Sequence, residues 1–187
     1  MDINDLEKKI TNDLAVELAD EFDRNFERKA FFTEKWASPK INNSRGSVMN
    51  CSGNLRRSIK YNVRDGMIVF SSSLPYASIH NEGGEIVVTA QMKKYFWAMY
   101  YKVTGGITNK ANGGESKSKR NLKLSTEAAK WKSLALLKVG HKMKVEKRQM
   151  VGDHPQVAII VKSVIDDNMQ KLNEFLINSL NRWPTYF

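Results

Sequence analysis

The sequence contains one cysteine, Cys51, and three histidines. One cysteine forms neither an intrachain disulfide nor a thiolate metal cluster, so the composition favours a reducing compartment. No two histidines have the i,i+4 spacing of a helical HExxH zinc site, and His80 with Glu82 has no further ligand nearby in the sequence. A Gly-x-Ser-x-Gly elbow and a phosphate-binding Gly-Lys-Ser/Thr loop are also missing. We therefore predict that the chain is not an enzyme and needs no metal or cofactor.

Long apolar runs are missing as well. The first twenty residues carry eight charged side chains, which leaves no room for the apolar core of a signal peptide. The longest apolar run lies at about residues 157–161 and is far shorter than the roughly 20 residues that a membrane span needs. These absences predict a soluble protein of the cytosol. The length of 187 residues fits one domain, or one domain with an insertion.

Positive charge is concentrated in one part of the chain. The net charge is +10, and residues 91–150 hold fifteen Lys and Arg against three Asp and Glu, whereas residues 1–30 hold five against nine. A basic segment of this kind can bind nucleic acid or an acidic protein, or it can merely keep the chain soluble.

Apolar spacing predicts a long helix at each end of the chain. In the N-terminal helix most apolar residues are four apart, so the apolar stripe winds around the helix and its two ends should contact different partners. Either one core is wrapped by the whole helix, or one end meets another subunit. The C-terminal helix should start at an Asp153-x-x-Gln156 capping pattern. The N-terminal stripe consists of Ile3, Leu6, Ile10, Leu14, Leu18, Phe22 and Phe26.

Four segments between these helices have the pattern of strands. Residues 59–63 and 67–70 flank an Asp65-Gly66 hairpin turn, and residues 85–89 and 142–147 follow later in the chain. The predicted fold class is α+β, an antiparallel sheet of about four strands packed with the long N- and C-terminal helices. We treat residues 1–187 as a single domain with a helical hairpin inserted at about 91–140. That insertion contains a flexible basic loop at 104–121 and a helix at about 126–139, capped by Ser125.

The insertion begins with a dense group of aromatic residues. Beside Lys93, Lys94 and Lys102, these rings superficially suit stacking on nucleic acid bases. Helical spacing favours another interpretation, in which the rings share one broad face that packs in a core or against another subunit. This candidate interface consists of Phe96, Trp97, Tyr100 and Tyr101.

A series of short motifs occurs in a distinctive order. Trp36 precedes a polar loop at residues 37–52, and the segment Ser52-Gly53-Asn54-Leu55-Arg56-Arg57-Ser58-Ile59 follows. After the hairpin comes Tyr76-Ala77-Ser78-Ile79-His80-Asn81-Glu82-Gly83-Gly84, and far downstream Arg148-Gln149-Met150-Val151-Gly152. This succession resembles the phage virion morphogenesis family, the tail-completion proteins of Mu-like phages and prophages. The resemblance covers roughly residues 26–103 and 140–180.

Two features depart from the family pattern. Met150 stands where the family usually has an aromatic residue, a change that a flexible thioether can absorb in a packed site. The basic loop at 104–121 has no counterpart. The matching residues each have a structural explanation, such as turns at glycines, a packed tyrosine ring, and an arginine that forms a forked clamp on a carbonyl or carboxylate. The motif residues are Trp36, Gly53, Leu55, Tyr76, His80, Gly83, Gly84, Arg148 and Gly152.

The resemblance implies a structural phage or prophage protein that completes the tail or joins tail to head, as an oligomer and in the form of a ring. Its partners would be further copies of itself and the tail tube or head–tail connector proteins. It would act in the cytoplasm of the bacterial host and become part of the virion. The alternative is a nucleic-acid-binding protein that uses the basic segment 91–150.

Overall fold

The computed structural model describes residues 3–38, 47–110, 113, 114 and 116–180. The first half of the chain contains α1 (Ile3–Arg28), β1 (Ala30–Phe31), β2 (Glu34–Lys35), α2 (Asn54–Ser58), β3 (Ile59–Arg64), β4 (Met67–Ser72) and α3 (Ala77–Glu82). The second half contains β5 (Gly84–Val87), α4 (Ala90–Thr104), α5 (Lys119–Ala135), β6 (Lys142–Val145) and α6 (Pro155–Leu180). No helix in the described ranges is both long enough and apolar enough to cross a membrane.

The chain divides into two compact units. Unit 1 comprises Met1–Glu82 and Lys147–Phe187, and unit 2 comprises Gly83–Glu146. The sequence predicts one domain with an insertion at about 91–140. The inserted unit in the structure, Gly83–Glu146, begins before residue 91 and ends after residue 140. The reason is that β5 and β6 pair with each other and so belong with the helices between them.

The mixed helix and sheet class is confirmed, but the prediction of one sheet of about four strands is wrong. The described strands form three separate antiparallel pairs, β1–β2, β3–β4 and β5–β6. The hairpin β3–β4 has the predicted turn, with Arg64 opposite Met67. The later two predicted strands pair with each other, Gly84 opposite Val145, and not with the hairpin. Alternation of apolar and polar residues predicts a strand but carries no information about its partner.

In unit 1 the hairpin β3–β4 packs against α1 through one face. Phe70 meets Phe22 edge-on, with ring centroids 4.9 Å apart, and Ile68 lies in the same cluster. Leu18, Phe22, Phe31 and Phe32 form the buried part of this cluster, and Val157 and Ile160 of α6 close it. A second cluster of buried residues consists of Phe26, Trp36, Leu55, Ala77 and Met150.

In unit 2 the connection between α4 and α5 is shorter than the predicted loop at 104–121. Thr104 belongs to α4, while α5 begins at Lys119, where Ser118 caps it, and ends at Ala135. The predicted cap Ser125 therefore lies inside a helix. The buried Asn121 explains the early start, because its amide donates to the carbonyl oxygens of Thr108 and Ser116, each at 2.7 Å. Residues 111, 112 and 115 of the predicted loop lie outside the described residues, as do residues 39–46 of the polar loop at 37–52.

Helix α6 begins at Pro155, inside the predicted Asp153-x-x-Gln156 capping pattern. The side chain that accepts a hydrogen bond from the first turn is His154, however, whose Nδ1 lies 3.1 Å from the backbone nitrogen of Gln156. The imidazole is held in place by Phe32, with which it stacks at a centroid distance of 4.7 Å.

Candidate functional site

The motif residues of unit 1 meet around residues 148–151, which form neither helix nor strand. We call these four residues the strap. The backbone N–H of Arg148 donates to the carbonyl oxygen of His80 at 2.8 Å. The indole Nε1 of Trp36 donates to the carbonyl oxygen of Gln149 at 2.7 Å. The strap pairs with no strand in the described structure. Its backbone N–H and carbonyl groups instead form hydrogen bonds with two distant segments, those that contain His80 and Trp36.

Two asparagines hold the rest of the strap. The Oδ1 of Asn81 accepts hydrogen bonds from the backbone N–H groups of Met150, at 2.8 Å, and Val151, at 3.1 Å. The Nδ2 of Asn25, a fully buried residue, donates to the carbonyl oxygen of Met150 at 3.2 Å. The Oδ1 of Asn25 accepts from the backbone N–H of Phe32 at 2.9 Å, so both ends of this buried amide are used.

Apolar packing also holds the strap, through the side chain of Met150. The side chain of Met150 is 2% exposed and lies in one cluster with Phe26, Trp36, Leu55 and Ala77. The rings of Phe26 and Trp36 meet edge-on, with centroids 5.6 Å apart. These residues come from α1, the segment after β2, α2, α3 and the strap. The predicted motif positions Trp36 and Leu55 are therefore brought together around Met150.

Arg148 binds a backbone carbonyl as predicted, but the predicted fork is found at another arginine. Within the described residues, the Arg148 side chain donates one hydrogen bond, from Nε to the carbonyl oxygen of Ala37 at 3.0 Å, which is not a forked contact. The forked geometry occurs at Arg56, whose Nε and Nη2 bind the two carboxylate oxygens of Asp23. Arg56 Nη2 also binds Glu27 at 2.7 Å. This fork ties α2 to α1, and the two carboxylates raise the pKa of the Arg56 guanidinium above its ordinary value.

His80 lies half-buried beside the strap and carries no second group for catalysis among its described contacts. Its backbone carbonyl binds Arg148, and its ring meets the ring of Tyr76 edge-on at a centroid distance of 6.0 Å. The Nδ1 atom is buried without a hydrogen-bond partner in the described structure. Burial lowers the pKa of His80, and the positive charge of Arg148 lowers it further. Both effects favour the neutral imidazole near neutral pH.

The motif glycines lie where the chain turns. Gly53 has a φ of 73° at the N-cap of α2, and Gly83 has a φ of 77° directly after α3. Residues other than glycine rarely adopt this left-handed backbone conformation. Glycine at these two positions therefore allows the chain to turn there. Gly84 and Gly152 also have positive φ values.

The candidate interface on α4, in unit 2, divides into two faces. Phe96 is 8% exposed, with its ring 6.1 Å from that of Trp131 on α5, so it belongs to the packing of the two helices. Trp97 and Tyr101 stack on each other at 5.9 Å, and Tyr100 meets both rings edge-on. Tyr101 is 65% exposed. The predicted interface is therefore reduced to Trp97, Tyr100 and Tyr101, and Phe96 is core.

Asn25, Asn81 and Arg56 were missed as site residues by sequence reasoning. Asn25 had a usable signal, because it is a polar residue between Phe22 and Phe26 on the apolar side of an amphipathic helix. Asn81 lies in the motif Tyr76–Gly84, next to His80. Nothing in the sequence shows that the side chain of Asn81, and not that of Glu82, binds a distant part of the backbone. The partner of Arg56 lies 33 positions away, beyond any local pattern.

The chemistry of the strap is that of a structural joint. Its polar contacts link side-chain amides, backbone groups, one indole and the guanidinium of Arg148, none of which is a nucleophile or an acid–base group near neutral pH. In the described part of the chain, no group of three or more His, Cys, Asp or Glu side chains could hold a metal ion. No protein-family model matches this chain, and no curated protein and no solved structure is significantly similar to it.

Proposed function

We propose that this chain is a structural assembly protein of a tailed phage or prophage, which completes the tail or joins tail to head as an oligomeric ring. The observation that carries the proposal is the convergence at the strap. Trp36, Leu55, His80 and Arg148 come from four motifs that are scattered through the sequence, and their contacts lie around one joint. This is the arrangement expected if the order of the motifs reflects a shared fold and not chance similarity.

The character of these contacts also supports a non-catalytic role. Most motif residues fix shape, by a hydrogen bond to backbone, by packing or by a left-handed turn, whereas Tyr76 is 42% exposed. An assembly subunit works through surface complementarity, which requires a rigid shape more than reactive groups. The proposed partners are further copies of the chain and the tail tube or head–tail connector proteins. The proposed location is the host cytoplasm during assembly and the finished virion afterwards.

Labelling of finished particles tests this proposal. Particles purified from an infected or induced host are probed with gold-conjugated antibody against the chain and viewed by electron microscopy. We expect label at one place, the end of the tail or the head–tail junction. Particles that carry none of the chain, with the protein abundant in the host, contradict a role as virion component.

A nucleic-acid-binding role remains the second candidate, and one observation favours it. Unit 2 holds thirteen Lys and Arg against four Asp and Glu, so it carries a net charge of +9 of the total of +10. At about 100° per residue, Lys93 and Lys94 fall on the same side of α4 as Trp97 and Tyr101. Lysines beside the exposed ring of Tyr101 and the half-buried ring of Trp97 suit a single-stranded nucleic acid, whose phosphates bind the lysines and whose bases stack on the rings.

Binding of labelled oligonucleotides separates the two candidates. The second candidate predicts binding that weakens steeply with added salt and is lost in the double variant Trp97→Ala, Tyr101→Ala. Phe175→Ala is the matched control, since Phe175 is an exposed aromatic residue on α6 in the other unit. No binding at low salt, or equal binding by all three proteins, excludes the α4 face as a nucleic acid site.

A further inference from the structure

Helix α4 of unit 2 exposes aromatic rings between lysines. Phe96 is buried against α5, and at about 100° per residue the side of α4 that points away from it carries Lys94, Trp97 and Tyr101. Tyr101 is 65% exposed and Trp97 is half-buried. We call this side the basic face, and it consists of Lys93, Lys94, Trp97, Tyr101 and Lys102. Since α4 contains no Asp or Glu, the basic face carries a charge of +3.

The rings of this face form one continuous apolar surface. Trp97 and Tyr101 stack on each other at a centroid distance of 5.9 Å, and Tyr100 packs edge-on against both. Within the described residues, none of the three lysines forms an ion pair with a carboxylate of this chain. An aromatic centre with charges at its margin has the composition of a protein–protein interface.

Helix α1 of unit 1 has an outer side of opposite charge. At about 100° per residue, residues 13, 16, 17 and 20 fall on the side of α1 that points away from the buried Leu18. All four are exposed, and residues 12–20 contain no Lys or Arg. Lys9 and Arg24 lie one turn beyond the two ends, and Arg24 is bound to Glu21. We call this side the acidic face, with a charge of −3, and it consists of Asp13, Val16, Glu17 and Asp20.

The two faces match in length as well as in charge. Lys94 and Lys102 are eight residues apart on α4, about 12 Å along the helix axis, and the aromatic rings lie between them. Asp13 and Asp20 are seven residues apart on α1, about 10.5 Å, and Val16 lies between them, 50% exposed. Two helices in contact through these faces therefore bring opposite charges together at both ends and apolar groups together in the middle.

We propose that the basic face of one copy of this chain docks on the acidic face of the next copy. Charge complementarity identifies the occupant, because the faces carry +3 and −3. The contact joins two different surfaces, so each added copy leaves one face of each kind free, and the assembly grows until it closes into a ring or continues as a filament. This inference rests on the proposed function, for which it identifies the contact between subunits.

Sedimentation of the full chain over a range of concentrations tests the inference. One subunit has a mass of 21.4 kDa, and a contact between unlike faces predicts species heavier than two subunits. The assembled fraction should fall when NaCl is raised from ~0.05 to ~0.5 M, because salt screens exposed charges. A single subunit at every concentration overturns the inference. An assembly that stops at two subunits overturns it too, since a two-fold contact would then use the same face on both copies.

Charge reversal tests the pairing of the two faces. Lys94→Glu with Lys102→Glu changes the basic face from +3 to −1, and Glu17→Lys with Asp20→Lys changes the acidic face from −3 to +1. In each double variant the two faces carry charges of the same sign, so assembly should weaken by about tenfold or more. In the quadruple variant the charges are again opposite, −1 and +1, so assembly should be restored in part. All four positions are exposed, and Lys and Glu are both good helix formers, so helical circular dichroism should be kept.

The matched control is Lys119→Glu with Lys123→Glu, the same change of charge at exposed lysines of α5. It should leave assembly nearly unchanged and should not restore assembly to the Glu17→Lys, Asp20→Lys variant. Equal effects of the two lysine variants, or a quadruple variant no better than either parent, overturn the inference. Assembly that survives reversal of the basic face, with binding of oligonucleotides lost, overturns it in favour of a nucleic acid as the occupant.

Cross-linking locates the contact directly. In a Cys51→Ser background, a chain with Val16→Cys is mixed with a chain with Ala98→Cys, an exposed position on α4 between the two outer lysines. Oxidation should link these two chains to each other, whereas Val16→Cys mixed with Leu122→Cys should give little product. Equal yields in the two mixtures contradict the contact. These outcomes are independent of the proposed function: gold label can mark the tail end even if other surfaces build the ring, and the two faces can join copies of a protein without any phage role.

Discussion

The side-chain amide of Asn25 donates a hydrogen bond to the carbonyl oxygen of Met150, a residue 125 positions away in the sequence. Asn25 is fully buried, and its carbonyl oxygen is bound to the backbone N–H of Phe32. One residue of α1 thus fixes both the turn after that helix and the strap.

We predict that Asn25→Leu destabilises the protein by about 2–4 kcal/mol, since it leaves a buried carbonyl and a buried N–H unpaired. Chemical denaturation measures the free energy of unfolding. Asn12→Leu is the control, an exposed asparagine on the same helix, and should change stability by no more than about 0.5 kcal/mol. Equal effects of the two substitutions would mean that the buried amide contributes nothing specific.

Asn81 provides a second test of the strap. Its side-chain oxygen accepts two backbone hydrogen bonds, so Asn81→Ala should cost about 2–3 kcal/mol of unfolding free energy. Asn81→Asp keeps an oxygen acceptor at the same position and should retain most of the stability. If the alanine and aspartate variants unfold at the same denaturant concentration, the two hydrogen bonds to the strap do not support the fold.

Met150 tests the resemblance at its main departure. The side chain is buried beside Trp36 and Phe26, and residue 150 is one of the residues along an open groove of about 310 Å³. Met150→Phe, which places the family's usual kind of residue there, should cost less than about 1 kcal/mol, below the usual cost of overpacking of about 1–3 kcal/mol. Met150→Ala should cost about 2–5 kcal/mol. A phenylalanine variant as unstable as the alanine variant would show that the strap does not match the family pattern.

The lowered pKa of His80 predicts a pH dependence. The unfolded chain binds a proton at His80 near pH 6.5, whereas the folded protein binds it only at lower pH. Between these two values the unfolded state holds more protons, so the free energy of unfolding must decrease as the pH falls below about 6.5. Unfolding measured from pH 7.5 to 5 should show this decrease, and His80→Asn should reduce it. His141→Asn, at an exposed histidine, should not. If the free energy of unfolding changes with pH equally in the wild type, His80→Asn and His141→Asn, then groups other than His80 cause the pH dependence.

How far the sequence predicts the fold depends on the range of the interactions. Local signals were sufficient for α1, α6 and the β3–β4 hairpin, because helical spacing and the Asp65-Gly66 turn act within a few residues. The β1–β2 hairpin was missed because its turn contains Phe32, which has a φ of 52° without being a glycine or asparagine. The pairing of β5 with β6 was not predictable either, because a strand pattern carries no information about its partner.

The range of the interactions also explains which residues of the strap the sequence predicted and which it did not. The motif residues Trp36, Leu55, His80 and Arg148 were identified by their order in the sequence, and the structure brings them to the strap. The residues that hold the strap by side-chain amides, Asn25 and Asn81, act on backbone groups 125 and 69 positions away. The periodicity of a sequence does not predict contacts of this kind. The one usable signal was the position of Asn25, a polar residue in the apolar stripe of α1.

The central claim, a role in particle assembly, is tested most directly by electron microscopy of lysates from a phage or induced prophage that lacks this gene. We predict normal DNA replication, filled heads and polymerised tails, with the defect appearing late as unattached heads beside unfinished, over-long or non-joining tails. A copy of the gene supplied from a plasmid should restore infectious particles. Normal infectious particles from the deletion would contradict the assembly role, and a block in DNA replication or packaging would favour the nucleic-acid-binding alternative.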